Sequence, residues 1–187
     1  MEGLHFSELL ANYISIKLKY FAARQNTLKK GGIHLLETTI IARLIDIVGK
    51  DNIFTSAADL LTYSYDATPG FQAMPDAVVA PRNKKEIVQI VKLCNEEKIP
   101  IVPRGSGTNL SAGTTPLHGG IVMLFHHLNK IIEIDEENLT ATVQPGVITL
   151  DLCNAVEQKG LLYPPDPSPM KISTIGGNIS ENSGGLR

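Results

Sequence analysis

The sequence predicts an α+β or α/β domain built around a mixed sheet. Segments with helical apolar spacing alternate with short apolar runs of strand length, in the order β-α-β-loop-β-β-β-α. Glycine- and proline-rich stretches separate them. Apolar residues make up 43% of the 187 residues and charged residues 19%, the balance of a globular chain with a real core rather than a disordered one.

Residues 1–35 stand apart as an N-terminal extension. Phe6, Leu9, Leu10 and Tyr13 have helical spacing, and Lys17, Lys19, Arg24, Lys29 and Lys30 follow with no acidic residue between them until Gly31 and Gly32. Such a basic amphipathic segment suits a membrane surface or a partner, though an accessory extension is the plainer reading. From Glu37 onward, Ile40, Ile41, Leu44, Ile45 and Val48 mark one face of a helix that Gly49 stops. The next stretch lacks a clear period until Ala77 to Ala80, a short apolar run read as a strand. Asn83 with Glu86 forms a capping pattern, and Ile87, Ile90, Val91 and Cys94 continue at helical spacing, so a helix is expected over 84–97. Strands are expected over 99–102, 121–125, 131–134 and 140–144. Pro145 and Gly146 then turn the chain into a helix over 148–158, stopped by Gly160. In the last segment, "LLYPPDPSPMKISTIGGNISENSGGLR", prolines and glycines exclude long regular structure. No internal repeat is visible.

A net charge of −2 provides no positive field for nucleic acid, so no nucleic-acid partner is expected. Cys94 and Cys153 each fall among apolar residues and form no C-x-x-C, which fits buried thiols in a reducing compartment. No apolar stretch reaches the ~18 residues of a membrane span, and nothing at the N-terminus resembles a secretory signal. A cytoplasmic protein is expected, with peripheral attachment at the inner face of the membrane left open by the basic segment.

The stretch "PRGSGTNLSAG", residues 103–113, follows directly on an apolar strand. No Lys follows its glycines, so it is not a Walker A loop. It lacks the third glycine and the helix that a Rossmann fingerprint requires, and Arg104 occupies the first glycine position of a hydrolase elbow. Two readings survive: a plain glycine-rich turn, or a nest whose backbone N–H groups converge on an anion, helped by the hydroxyls of Ser106 and Thr108. Three or four charge-assisted hydrogen bonds of roughly 1.5–3 kcal/mol each would hold a pyrophosphate without net positive charge. A second cluster, Gly176, Gly177, Gly184 and Gly185 after the stiff run "PPDPSP", adds another backbone-rich region some seventy residues on. Together the two fit a dinucleotide with an aromatic head.

"PRGSGTNLSAG", "VQPGV", "YPPDPS" and "STIGGNISENSGG", in this order, resemble the FAD-binding half of the vanillyl-alcohol-oxidase type flavoproteins, which carry a PCMH-type FAD-binding domain. Within these the likeness is to the glycolate oxidase GlcD subunit and D-lactate dehydrogenase group, and it extends over residues 36–187. The resemblance implies two α/β subdomains, the second incomplete at the C-terminus, with the substrate cap absent. It implies that Arg104, Gly105, Ser106, Gly107, Thr108 and Asn109 wrap the FAD pyrophosphate, and that Pro145 and Gly146 lie near the flavin or adenine. Asp166, Ser168, Ser173, Thr174, Gly176, Gly177 and Asn178 would line the ribityl chain and isoalloxazine edge, with Ser183, Gly184 and Gly185 continuing that wall.

Family members with covalent flavin place a His in the first loop, and none is present, so non-covalent FAD is expected. His118, His126 and His127 are read as surface or locally bonded histidines; adjacent strand histidines would point to opposite faces. No catalytic residue and no metal ligand is assigned. The resemblance implies hydride transfer from a small 2-hydroxy acid such as glycolate or D-lactate to the flavin. Open alternatives are an inactive or split-subunit assembly module and a flavoenzyme of the same fold with other chemistry. Too few strands are expected to cover the helix around Val156, so partners would include a complementary C-terminal fragment or an electron-transfer subunit.

Overall fold

A computed structural model describes residues 36–186; the expectations for residues 1–35 lie outside the described residues. Helix α1 (Thr38–Val48) buries Leu44 and Val48 and stops at Gly49, whose φ of 84° favours glycine. A 3-10 turn (Lys50–Asn52) leads into the short strand β1 (Ile53–Phe54). Helix α2 (Ala57–Thr62) follows, capped by Ser56, whose hydroxyl accepts from Asp59 N–H. Neither β1 nor α2 was expected, because two and six residues are too few to display a period.

Strand β2 (Ala77–Val79) runs into helix α3 (Lys84–Glu96), where the capping pattern is realised. Asn83 Oδ1 accepts from Glu86 N–H at 3.0 Å, while the Glu86 carboxylate takes Asn83 Nδ2 at 2.7 Å and Arg82 N–H at 2.7 Å. At the other end Lys98 adopts a left-handed φ of 57° and Ile99 N–H returns to Cys94 O at 2.8 Å. That closure uses Ile99 for the helix, so β3 covers Ile101–Arg104 rather than 99–102. Arg104 is thus the last residue of a strand.

Strand β4 (Ile121–Leu124) inserts between β2 and β3, giving the order β1-β2-β4-β3 with only β1 antiparallel. The sheet is mixed, as expected. Both faces of β2 and β4 are covered, which is why each reads as a continuous apolar run. Ala77, Val79, Ile121 and Met123 pack with Leu44, Val48, Ile90 and Leu93 of α1 and α3. Their alternates Val78, Val122 and Leu124 pack with Leu60 of α2.

The antiparallel hairpin β5 (Ile131–Asp135) and β6 (Thr140–Val143) carries a bulge between Ile131 and Glu133. Helix α4 (Thr149–Glu157) and helix α5 (Ile175–Glu181) complete a second cluster, in which Val147, Leu152, Val156 and Ile175 are buried with Ile131, Ile134 and Val143 beside them. The expected exposure around Val156 does not occur: two strands suffice, because Ile175 closes the remaining side and leaves Val156 only 6% exposed.

Candidate functional site

The end of β3, the loop that follows it, Pro145 and the segment 167–185 enclose a cleft of about 660 Å³. All of the residues expected in a cofactor site line it except Gly146, Asp166 and Gly184. Gly146 is buried beneath the cleft, its N–H on Leu128 O at 2.7 Å, where a side chain would collide with Phe125 O. Asp166 N–H donates to Gly184 O at 2.8 Å, and Asp166 forms a parallel bridge with Gly185, so these residues fasten the proline run to the last glycine pair.

The glycine loop is held from below by a carboxylate that sequence reading passed over. Asp66 accepts from Thr68 N–H at 2.9 Å, Asn109 Nδ2 at 2.8 Å and Thr114 N–H at 3.2 Å, and the Thr114 hydroxyl lies 3.1 Å away. Burial opposes its ionisation, and the hydrogen bonds from Thr68, Asn109 and Thr114 outweigh that, holding its pKa well below the usual carboxylate range. The signal was local: an Asp whose side chain takes the N–H two residues on is an Asx-turn, and "YDATPG" has the composition of one.

Arg104 lies under the loop rather than in its mouth. It is 8% exposed; Nη1 donates to Tyr65 O at 2.8 Å and Thr114 Oγ1 at 3.3 Å, and the guanidinium carbon sits 5.7 Å from the Tyr63 ring centre. Burial lowers its pKa while the Asp66 charge opposes that, and the guanidinium stays protonated. Gly107, with φ of 70°, passes over this guanidinium, and a Cβ there would collide with it. Asn109 likewise spends its side chain inside the loop, with Nδ2 on Asp66 and Oδ1 facing the Thr114 hydroxyl at 3.0 Å.

The loop's backbone is asymmetric. Two of its carbonyls are tied outward: Gly107 O accepts from Ala67 N–H at 3.1 Å and Asn109 O faces the Thr68 hydroxyl at 3.4 Å. Its amides are not. Among the described residues, no acceptor pairs with the N–H groups of Gly105 to Ser111, all of which belong to cleft-lining residues, and the Thr108 hydroxyl also has none. The Ser106 hydroxyl is committed to Ile172 O. Donors without acceptors, fixed on a partly exposed wall, suit an anion with many oxygens.

The second glycine cluster is built differently. "STIGGN" was expected as part of an irregular wall, but Thr174 caps α5 there, and its hydroxyl takes Gly177 N–H at 3.2 Å. Ile175 N–H goes to Val147 O at 2.8 Å and Gly176 N–H to Pro145 O at 2.9 Å. Ser173, Thr149 and Asn178 form a buried hydroxyl–amide network behind it, with Asn178 Nδ2 on Thr149 Oγ1 at 2.7 Å. These glycines make the wall thin. The two clusters also touch, since a Cβ on Gly105 would collide with the Thr174 hydroxyl.

Ser168, Ser183 and Gly185 line the far side of the cleft. Among the described residues Glu181 is its one acidic lining residue, and no His or Cys lines it. His126 and His127 lie after β4, not within it, and their rings are 4.0 Å apart rather than on opposite faces. Burial and the neighbouring His127 lower the pKa of His126, and His127 Nε2 meets Asn52 Oδ1 at 3.1 Å. Among the described residues no cluster of three His, Cys, Asp or Glu side chains could hold a metal, and no helix is long and apolar enough to cross a membrane. Cys94 is buried, which pushes its thiol up to about 11.

Known proteins resemble this chain in sequence and in fold. The glycolate oxidase subunit GlcD of Bacillus subtilis (strain 168) is 68% identical over 145 residues, which are 78% of this chain and 31% of that protein. The D-lactate dehydrogenase of Anaerostipes hadrus is 42% identical over 116 residues, 62% of this chain and 24% of that protein. The chain therefore spans about a third or less of the length of these relatives. The solved structure of p-cresol methylhydroxylase with substrate bound superposes with a TM-score of 0.68 at 26% identity, covering 78% of this chain and 30% of that one, and carries the expected α+β fold. The family described as FAD binding domain matches residues 75–187, from just before β2 through the glycine loop to the last glycine pair. A span that takes in both glycine clusters and the sheet between them settles the kinship: the chain belongs to the FAD binding domain family of flavoproteins.

Proposed function

We propose that residues 36–187 are the FAD-binding portion of a flavin-dependent dehydrogenase or oxidase of small 2-hydroxy acids, glycolate or D-lactate among them. The observation that carries this reading is the run of amides from Gly105 to Ser111 in the loop after β3, which belong to cleft-lining residues and have no acceptor among the described residues, while Gly107 O and Asn109 O are tied to Ala67 and Thr68. Names of relatives at 68% and 42% identity supply the substrate class.

Gly105, Ser106, Gly107 and Thr108 hold the pyrophosphate through main-chain N–H groups and the Thr108 hydroxyl. Arg104 and Asn109 serve it indirectly: the guanidinium supports Gly107 from beneath, and Asn109 ties the loop to Asp66. Pro145, Ser168, Ser173, Thr174, Gly176, Gly177, Asn178, Ser183 and Gly185 form the wall for the ribityl chain and ring edge, while Gly146, Asp166 and Gly184 fix that wall in place. Binding is read as non-covalent, since no His stands in the glycine loop of residues 103–113. The chemistry that FAD supplies when bound is acceptance of a hydride from the carbon bearing the substrate hydroxyl. No lining residue is assigned as catalytic base. Substrate-binding groups and the electron acceptor, an electron-transfer subunit or a complementary C-terminal segment, come from outside these residues. The cytoplasm is the proposed location.

Titration of the protein with FAD should produce a bound flavin spectrum, and the full-length protein should reduce a dye with glycolate or D-lactate. Flavin uptake without turnover on any 2-hydroxy acid would favour an assembly module or other chemistry. Failure to take up flavin would refute the reading.

A further inference from the structure

We infer that Glu181 and Ser111 form a clasp that holds the C-terminal side of the glycine loop against α5, making Glu181 a positioning residue for the anion cradle. The Ser111 hydroxyl donates to Glu181 Oε2 at 2.6 Å, joining residues seventy positions apart across the cleft wall. Gly113 makes the approach possible, for a Cβ there would meet Glu181 Oε1 at 2.5 Å. The contact continues inward: Asn109 Nδ2 lies 3.4 Å from Ser111 Oγ and 2.8 Å from Asp66 Oδ2. The C-terminal half of the loop is therefore held by Asp66 at Asn109 and Thr114 and by Glu181 at Ser111, and the unpaired amides of Gly105 to Thr108 lead directly into it.

A carboxylate beside an anion site needs a reason, since its charge opposes the ligand. The clasp supplies one. Ser111 and Glu181 are both exposed, so their hydrogen bond can break and re-form without unpacking the core, while Ala112 N–H stays on the Thr68 hydroxyl at 2.7 Å. The consequence falls on the rate at which FAD leaves rather than on the stability of the fold.

This inference rests on the FAD reading, and one experiment separates the two. FAD release from the flavin-loaded full-length protein is followed by recovery of flavin fluorescence after dilution, for wild type, Glu181→Ala, Glu181→Gln and Ser111→Ala, together with melting of each flavin-free protein. Glu181→Ala and Ser111→Ala should each release FAD about tenfold faster, with the double variant no faster than either single one. Glu181→Gln keeps an acceptor for Ser111 and should release at the wild-type rate or slower. Flavin-free melting temperatures should be unchanged. A wild type that binds no FAD would refute the FAD reading itself. With wild-type binding intact, the clasp is overturned by unaltered release in both alanine variants, by equal acceleration in Glu181→Gln and Glu181→Ala, or by acceleration that tracks a lower melting temperature.

Discussion

The loop after β3 and the first turn of α5 have nearly the same composition, paired or near-paired glycines among small polar residues, yet they spend their backbones in opposite ways. In the loop, two carbonyls, of Gly107 and Asn109, are fastened to the segment 67–68, and the amides from Gly105 to Ser111 are left unpaired among the described residues. In α5, the N–H groups of Ile175, Gly176 and Gly177 are taken by Val147, Pro145 and Thr174. Glycine in the first place exposes donors to a ligand, and in the second it removes a side chain so that two backbones and a ligand can lie close together. The difference shows that glycine content does not identify an anion site; the direction of the leftover hydrogen-bonding groups does.

Substitutions should separate the two uses, the largest effect coming from the loop. Gly107→Val combines a left-handed φ with a collision against Arg104, and should cost three or more of the cradle's hydrogen bonds. FAD affinity should fall by about three orders of magnitude, equivalent to ~4 kcal/mol, measured by absorbance titration. Gly176→Val, which presses on Pro145, should instead lower folding stability by about 1–3 kcal/mol in denaturant melts, with measurable flavin affinity in the fraction that folds. Equal loss of affinity at comparable stability in both variants would erase the distinction.

Asp66→Asn lies between these cases. It keeps the shape but turns an acceptor-only group into one with two donors, facing N–H groups of Thr68 and Thr114. A decrease in FAD affinity of about tenfold is expected, together with lower stability. The pH dependence has a definite sign: the folded-state pKa of Asp66 is depressed, so its contribution is complete above the unfolded value of about 4 and is lost as pH falls through the folded value. Wild type and Asp66→Asn should therefore converge in stability toward strong acid and differ most near neutrality. Asn83→Ala, at the cap of α3 away from the cleft, is the smallest case: about 1 kcal/mol of stability with unchanged flavin affinity.

Much of the sheet was legible because its signals are local. Asn83 and Glu86 announce α3, and β2 and β4 read as apolar runs since both their faces are buried. Short elements gave no period, so β1 and α2 stayed hidden, and α5 was obscured by its own glycines, which are poor helix formers. The cradle's residues were visible as a motif, but its supports were not. Asp66 meets Asn109 across 43 positions and Glu181 meets Ser111 across 70, separations that no pattern in one sequence displays. Arg104 shows the same limit: the sequence places a cation beside an expected phosphate, whereas folding directs it beneath the loop, toward Tyr65 and Asp66.

Residue-resolved amide hydrogen exchange, with and without FAD, tests the central claim most directly. The amides from Gly105 to Ser111 should exchange rapidly in the free protein and become strongly protected when FAD binds, while Gly176 and Gly177, already paired, should change little. Protection that appears at other amides and leaves those of Gly105 to Ser111 exchanging as fast as before would contradict the account.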